Sequence, residues 1–397
     1  MNTTPAAIPE EAVERYLAFL RSKRMVAHTS GITVESTALH ERLFPFQRSV
    51  VQWALRQGRA AIWADCGLGK TFMQLEYGRL VHEHSHGDVL ILAPLAVAAQ
   101  TIAEGRKLDI PVQGCRSQTD VRPGLNITNY EMLPHFDPGH FAGVVLDESS
   151  ILKAFMGKTK RLLVDAFAQT PYRLACTATP APNDVMELGN HSEFLGIMPS
   201  SEMLMRWFIN DTMQNGKYRL KGHAQKAFWD WVASWAISLR KPSDLGYADD
   251  GFTLPELRIT HRYVETDLTA GRGAGQLFRA PIMNATTLHQ EMRLTAPDRA
   301  QAVADLVNHS RDTWVVWCNT NYEADELTQR MPDAVEVRGS DTMAEKERRL
   351  TAFTNGDIRI IVSKPSICGY GLNFQHCHKT AFVGLSYSME DFYQAVR

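Results

Sequence analysis

Ala64-Asp65-Cys66-Gly67-Leu68-Gly69-Lys70-Thr71 is the stretch on which the reading of this chain turns. An apolar run, Ala60-Ala61-Ile62-Trp63, leads into it and a helix-like segment leaves it. That context separates a phosphate-cradling loop from a chance glycine-rich turn. Gly67 and Gly69 let the backbone bend so that successive N–H groups point at one anion, and the start of the next helix adds a partial positive charge. In such a loop Lys70 reaches the β and γ phosphates of a nucleotide and the Thr71 hydroxyl ligates Mg2+. The first place of the usual G-x-x-x-x-G-K-[ST] pattern is held by Ala64.

Downstream, Val144-Val145-Leu146-Asp147-Glu148-Ser149-Ser150 is an apolar run that ends in two carboxylates. Parallel α/β sheets gather ligands at the carboxyl ends of their strands, where the phosphate loop also lies. Asp147 is therefore assigned to Mg2+ and Glu148 to the attacking water. Further strand candidates are Val89–Leu92 and Arg173–Cys176, and later Trp314–Trp317, Ala334–Val337, Ile358–Val362 and Ala381–Val383. Near-continuous apolar strands separated by helices predict parallel sheets covered on both faces. The predicted organisation is an N-terminal helix and connector (1–40), an α/β lobe (41–199), a helical, basic and aromatic insertion (200–260) and a second α/β lobe (261–397). Both lobes are expected to be parallel α/β sheets, the first with a phosphate loop.

The composition, 44% apolar and 22% charged residues over 397, is that of a globular chain with material for a core. The longest apolar run, Val89–Ala99, is about half of what a membrane helix needs, and no signal peptide is expected from the first nine residues. Six scattered cysteines without a paired framework fit a reducing cytoplasm. A net charge of −2 decides nothing about nucleic acid, but Met205–Lys241 holds seven basic residues against two acidic ones, with Trp207, Trp229, Trp231 and Trp235. Such a segment can track a phosphate backbone. The i,i+4 spacing of Trp231 and Trp235 favours helix core for the tryptophans. His82, His84 and His86 alternate in a way that converges poorly on a metal, and Cys368, His376, Cys377 and His378 include no C-x-x-C pair, so zinc is not expected at either place.

With both nucleotide motifs placed, the chain resembles the superfamily-two helicases, and within them the SWI/SNF-type DNA translocases, from about Leu43 onward, about nine-tenths of its length. Leu43-Phe44-Pro45-Phe46-Gln47 resembles the family's L-x-P-Y-Q opening, which implies that Gln47 reads adenine. The D-x-G-L-G-K-T form of the loop accounts for Ala64. Ala93-Pro94-Leu95 is similar to a motif that contacts the DNA backbone, and Thr128-Asn129-Tyr130-Glu131 to the T-T-Y-E segment. Thr177-Ala178-Thr179-Pro180 resembles the T-[GA]-T-P motif that links hydrolysis to lobe movement. Arg240-Lys241 with Leu254-Pro255 resembles the elements that precede the second lobe. Ser363 through Cys368-Gly369-Tyr370-Gly371-Leu372-Asn373-Phe374 resembles the S-x-x-x-x-x-G-x-G-[IL]-N interface motif, in which Gly369 and Gly371 allow close approach and Asn373 bonds.

Two departures stand out. The acidic motif reads D-E-S-S, so Ser150 is expected to bond toward Thr177 or Thr179 in place of the family's fourth residue. Tyr393-Gln394-Ala395-Val396-Arg397 resembles the opening of Q-A-x-x-R-x-x-R, which places Gln394 and Arg397 at the lobe interface and both finger arginines beyond residue 397. The resemblance implies two RecA-like lobes and an ATP- and Mg2+-dependent motor on nucleic acid, above all double-stranded DNA, cytoplasmic and monomeric. An RNA helicase of the same superfamily, or a nucleotide-dependent clamp with little turnover, are the rival readings. Expected DNA contacts are Pro94, Thr128, Lys158, Lys217, Lys221 and Arg240.

Overall fold

A computed structural model of the chain describes residues 11, 13–16, 25–94, 97–154, 157–210, 218–265, 267, 269, 285–369 and 374–396, the last set but one without the side chains of 285–287. Residues 11 and 13–16 are helical.

The first elements are helix α1 (Pro45–Gln57), strand β1 (Arg59–Ala64), helix α2 (Lys70–Ser85), β2 (Asp88–Ala93) and α3 (Ala98–Lys107). There follow β3 (Val112–Gly114), β4 (Leu125–Asn129), β5 (Phe141–Asp147), α4 (Lys158–Ala166), β6 (Tyr172–Cys176) and α5 (Leu188–Leu195). The chain continues through α6 (Ser200–Trp207), β7 (Phe208–Asn210), β8 (Tyr218–Leu220), α7 (Gln225–Val232) and β9 (Ala236–Leu239). A seven-stranded sheet has the order β3-β4-β2-β5-β6-β1-β9. By compactness the chain falls into two units, Met1–Ile91 with Pro123–Leu125 and Asp137–Ala248, and Leu92–Arg122 with Asn126–Phe136 and Asp249–Arg397.

In the first unit β5, β6, β1 and β9 are neighbours and every pairing is parallel, with Asp147 opposite Cys176, Ile62 opposite Cys176, and Ala64 opposite Leu239. Ala60, Ala61, Ile62, Val144, Val145, Leu146, Leu174 and Ala175 are fully buried, as strands covered on both faces require. Because these strands run the same way, the loops leaving β1, β5 and β6 emerge side by side. Helix α1 starts at Pro45, whose fixed φ suits a first helical position. Its last carbonyls are held by an extended strap in which the N–H groups of Ser30, Gly31 and Ile32 donate to Gln57, Arg56 and Leu55.

The segment after α5 departs from expectation. It carries the two helices α6 and α7, but also an antiparallel ribbon, β7 with β8, in which Ile209 faces Arg219. Its strand β9 then joins the sheet beside β1. Four residues with Ser238 exposed give too short an apolar signal to be read as a strand. Trp231 and Trp235 are core, at 1% and 0% exposure, whereas Trp229 is 47% exposed.

The later elements are α8 (Ala285–Leu294), α9 (Ala296–Asn308), β10 (Trp314–Trp317), α10 (Asn321–Arg330), β11 (Ala334–Val337), α11 (Met343–Thr354), β12 (Ile360–Ser363), α12 (Pro365–Cys368), β13 (Lys379–Phe382) and α13 (Met389–Val396). They form a four-stranded, all-parallel sheet of order β11-β12-β10-β13. Val316, Ile360 and Val362 pack with Ala300, Leu327 and Met331 on one face, and Trp317 and Ile361 with Val337, Leu350 and Phe353 on the other. The predicted strands are all present, two with shifted ends: the third runs to Ser363, and Val383 follows β13 with its N–H on the Trp317 carbonyl at 3.0 Å. Among the described residues no helix is long and apolar enough to cross a membrane.

Candidate nucleotide site

The phosphate loop leaves β1 as the sequence requires. Gly67 and Gly69 both take positive φ, 82° and 75°, a region open to glycine at no steric cost. The Asp65 carboxylate accepts from the Cys66 N–H at 2.7 Å, which fixes the first bend. Lys70 opens α2 and folds back over the loop, its ammonium donating to the carbonyls of Ala64 at 2.8 Å and Asp65 at 3.3 Å. A side chain at Gly67 would meet nothing within 4 Å, so that side of the loop is open. Thr71 lies half-buried in the first turn of α2.

Gln47 closes the other side. It is 1% exposed; its Nε2 donates to the Leu68 carbonyl at 2.9 Å and its Oε1 accepts from the Phe44 N–H at 2.9 Å. A Cβ on Gly69 would come within 2.4 Å of that Nε2. In this conformation the residue expected to read adenine braces the loop from beneath.

Asp147 ends β5 and is buried, as is Glu148. Burial pushes the Asp147 carboxyl above its usual range, while the bond from Gln74 and the Lys70 charge pull it down. Gln74 sits one turn beyond Lys70 on the same helix face, and its Nε2 donates to Asp147 Oδ1 at 2.7 Å. Its Oε1 is buried with no hydrogen-bond partner among the described residues. Glu148 takes φ 54°, a left-handed conformation rare outside glycine, the kind of strain that concentrates at functional sites. Its Oε1 accepts from the Thr177 hydroxyl at 2.5 Å, and Thr177 Oγ1 in turn accepts from the Thr179 N–H at 3.0 Å. The Thr177 N–H donates to Ile62. Ser150, expected to bond toward Thr177 or Thr179, is buried, and the Thr177 hydroxyl proton goes to Glu148.

Lys70, Asp147, Glu148, Thr177 and Thr179 thus converge at three adjoining strand ends. Residues the motifs did not single out complete the frame. Asn183 is clasped by Glu187, Nδ2 to Oε1 at 2.8 Å. Asn190 donates to the Leu152 carbonyl at 2.8 Å, holding the turn after the acids, and His191 meets the Pro180 carbonyl at 3.1 Å. Only Gln74 carried a readable signal, its i,i+4 relation to Lys70.

The expected DNA contacts fare unevenly. Lys158 and Arg240 are exposed, and Pro94 is half-buried at the end of β2. Thr128 is 3% exposed with an unpartnered hydroxyl among the described residues, because it lies inside β4. The Lys221 ammonium caps α6, donating to the Met205 and Arg206 carbonyls at 3.2 and 2.8 Å. Lys160, weighed beside Lys158, is buried on Glu193 at 2.6 Å. Gly369 is close-packed, since a Cβ there would meet the Pro365 carbonyl at 2.5 Å, and Gln394 is buried on α13. Lys217, Gly371, Asn373 and Arg397 lie outside the described residues, as do Leu95, Tyr370 and Leu372. Cys368 takes the Ser363 hydroxyl at 3.2 Å and the His376 ring meets Phe353 edge-on. Among the described residues no three metal-ligating side chains cluster.

Residues 298–397 match the helicase conserved C-terminal domain. Protein p41 of Acyrthosiphon pisum secondary endosymbiont phage 1 is 24% identical over 83% of this chain and 82% of its own. Among solved structures, the helicase MrfA bound to DNA is similar with a TM-score of 0.55 at 13% identity, covering 97% of this chain and 53% of that one. The Sulfolobus solfataricus SWI2/SNF2 ATPase core in complex with double-stranded DNA has a TM-score of 0.47 at 15% identity, covering 89% and 84%.

Proposed function

We propose that this chain is a nucleic-acid motor of the superfamily-two helicase type, as the match of residues 298–397 to the helicase C-terminal domain supports, and that it hydrolyses ATP to move along double-stranded DNA as a SWI/SNF-like translocase. One observation carries the reading: the lysine of a phosphate loop, a buried aspartate and a glutamate held by a threonine meet at neighbouring strand ends. The residues fit a nucleotide with magnesium. The loop is open at Gly67, and the Thr71 hydroxyl and Asp147 carboxylate are hard oxygen donors of the kind Mg2+ selects. When bound there, the ion neutralises charge on the phosphate oxygens.

The loop N–H groups and the start of α2 bind and orient the phosphates. Lys70 exchanges its loop carbonyls for the transferred phosphoryl group, a stronger charge-assisted partner. Glu148 holds and polarises the attacking water, and Thr177 fixes the angle of its carboxylate, so any shift of Thr177–Pro180 is felt at the water. That link is what a motor needs to couple hydrolysis to movement. The D-x-G-L-G-K-T loop and T-A-T-P sequence favour the DNA-translocating branch over RNA helicases. The protein would act as a cytoplasmic monomer.

The test is ATP turnover with duplex DNA, single-stranded DNA and RNA across salt concentrations, beside Lys70→Ala. Duplex DNA is expected to stimulate most, with stimulation fading as salt rises, and Lys70→Ala is expected to abolish nucleotide binding while keeping the fold. Stimulation by RNA alone would select the RNA-helicase reading, and normal ATP binding by Lys70→Ala would end the phosphate-loop assignment.

A further inference from the structure

Helix α5 holds a histidine that neither the motifs nor the reaction above use. His191 is fully buried. Its Nε2 lies 3.1 Å from the Pro180 carbonyl, which can only accept, so the proton sits on Nε2 and Nδ1 is an acceptor. That Nδ1 is buried without a partner among the described residues, and so is the indole Nε1 of Trp63, an atom that can only donate. The two rings are neighbours, centroids 5.7 Å apart and nearly perpendicular at 81°. An unpaired donor and an unpaired acceptor on touching rings is an unusual use of core space, since each such atom is costly and a leucine would leave none.

Their positions in the chain explain what they join. Trp63 immediately precedes Ala64, whose carbonyl holds the Lys70 ammonium. Pro180 closes the Thr177–Pro180 loop, whose Thr177 holds Glu148. His191 therefore links the strand that carries the phosphate loop to the loop that aims the water-holding acid. Its neighbour Asn190 anchors the turn after the acids from the same helix. Burial keeps the imidazole neutral, its pKa pushed down to about 4.

We infer that His191 is a positioning residue for ATP hydrolysis, holding Thr177–Pro180 through Pro180 and registering it against β1 through Trp63. The inference rests on the nucleotide-site reading above. His191→Phe keeps a ring but cannot donate to Pro180; His191→Gln offers an amide N–H; Trp63→Phe replaces the indole ring that His191 packs against. For each, melting temperature, affinity for a fluorescent ATP analogue, and kcat and KM with duplex DNA are measured. His191→Phe is expected to bind the analogue within about twofold of the unsubstituted protein while kcat falls about tenfold at unchanged KM. His191→Gln is expected to recover most of that loss, and Trp63→Phe to lower kcat about threefold alone but not further in the His191→Phe background. A normal kcat in His191→Phe, equal loss in His191→Gln, or independent multiplication of the two effects overturns the inference. Absence of nucleotide binding or turnover in the unsubstituted protein overturns the proposed function and this inference with it.

Discussion

The loops leaving β1, β5 and β6 and the basic, tryptophan-rich segment Met205–Lys241 use the same kinds of residue, yet they put charge to opposite uses. In the loops, Lys70, Asp147 and Glu148 come from places far apart in sequence and are brought together half-buried or buried. Each is held by a neighbour in the site: Lys70 by loop carbonyls, Asp147 by Gln74, Glu148 by Thr177. In Met205–Lys241 three of the basic side chains are satisfied close by. Arg206 pairs with Glu202, Lys226 with Asp230, and Lys221 caps a helix, while Trp207, Trp231 and Trp235 fill the core. A local run of charge and aromatics is thus a weaker indication of a working surface than a few polar groups whose placement only a fold can explain.

The contrast can be broken most sharply at Glu148. Glu148→Gln keeps an acceptor for the Thr177 hydroxyl but cannot take a proton, so turnover is expected to fall by about 10²–10⁴ with nucleotide affinity unchanged. A loss below tenfold in a single-turnover assay would remove Glu148 from its role. On the other side of the comparison, Trp231→Ala is expected to cost about 3–5 kcal/mol of stability in denaturant titration, and Trp229→Ala less than about 0.5 kcal/mol. Equal losses would contradict the division of that segment into core and surface.

A smaller effect separates a buried neutral group of the nucleotide frame from surface histidines. His191 is held at about 4, below its ordinary 6.5, so between those values the unfolded chain binds a proton that the folded one refuses. Stability is then full above about pH 6.5 and drains as pH falls toward 4, by about 2 kcal/mol at pH 5. His191→Gln is expected to shrink the stability difference between pH 7.5 and pH 5 by that amount. An unchanged difference would mean that His191 is not the group responsible.

The residues proposed for the site were legible in advance because they stand in contiguous motifs. A glycine-rich turn before Lys70-Thr71 and an apolar run before Asp147-Glu148 each specify their own local backbone, and apolar strands between helices specify parallel sheets. Gln74 was within reach through helix periodicity. The burial of Thr128 and the helix-capping bonds of Lys221 were not legible, because they depend on what packs beside a residue and no short window contains that information.

What the amino-acid order determined by itself is the longer apolar strands, the helices between them and the two motifs proposed to hold nucleotide, since hydrophobic period and glycine placement act over a few residues. Only the tertiary structure decided that Thr177 bonds Glu148, that Gln47 braces the loop, that β9 joins the sheet beside β1, and that His191 stands between Trp63 and Pro180. Those outcomes join residues tens to more than a hundred positions apart. They are settled by which strands lie side by side and by the need to give each buried polar atom a partner.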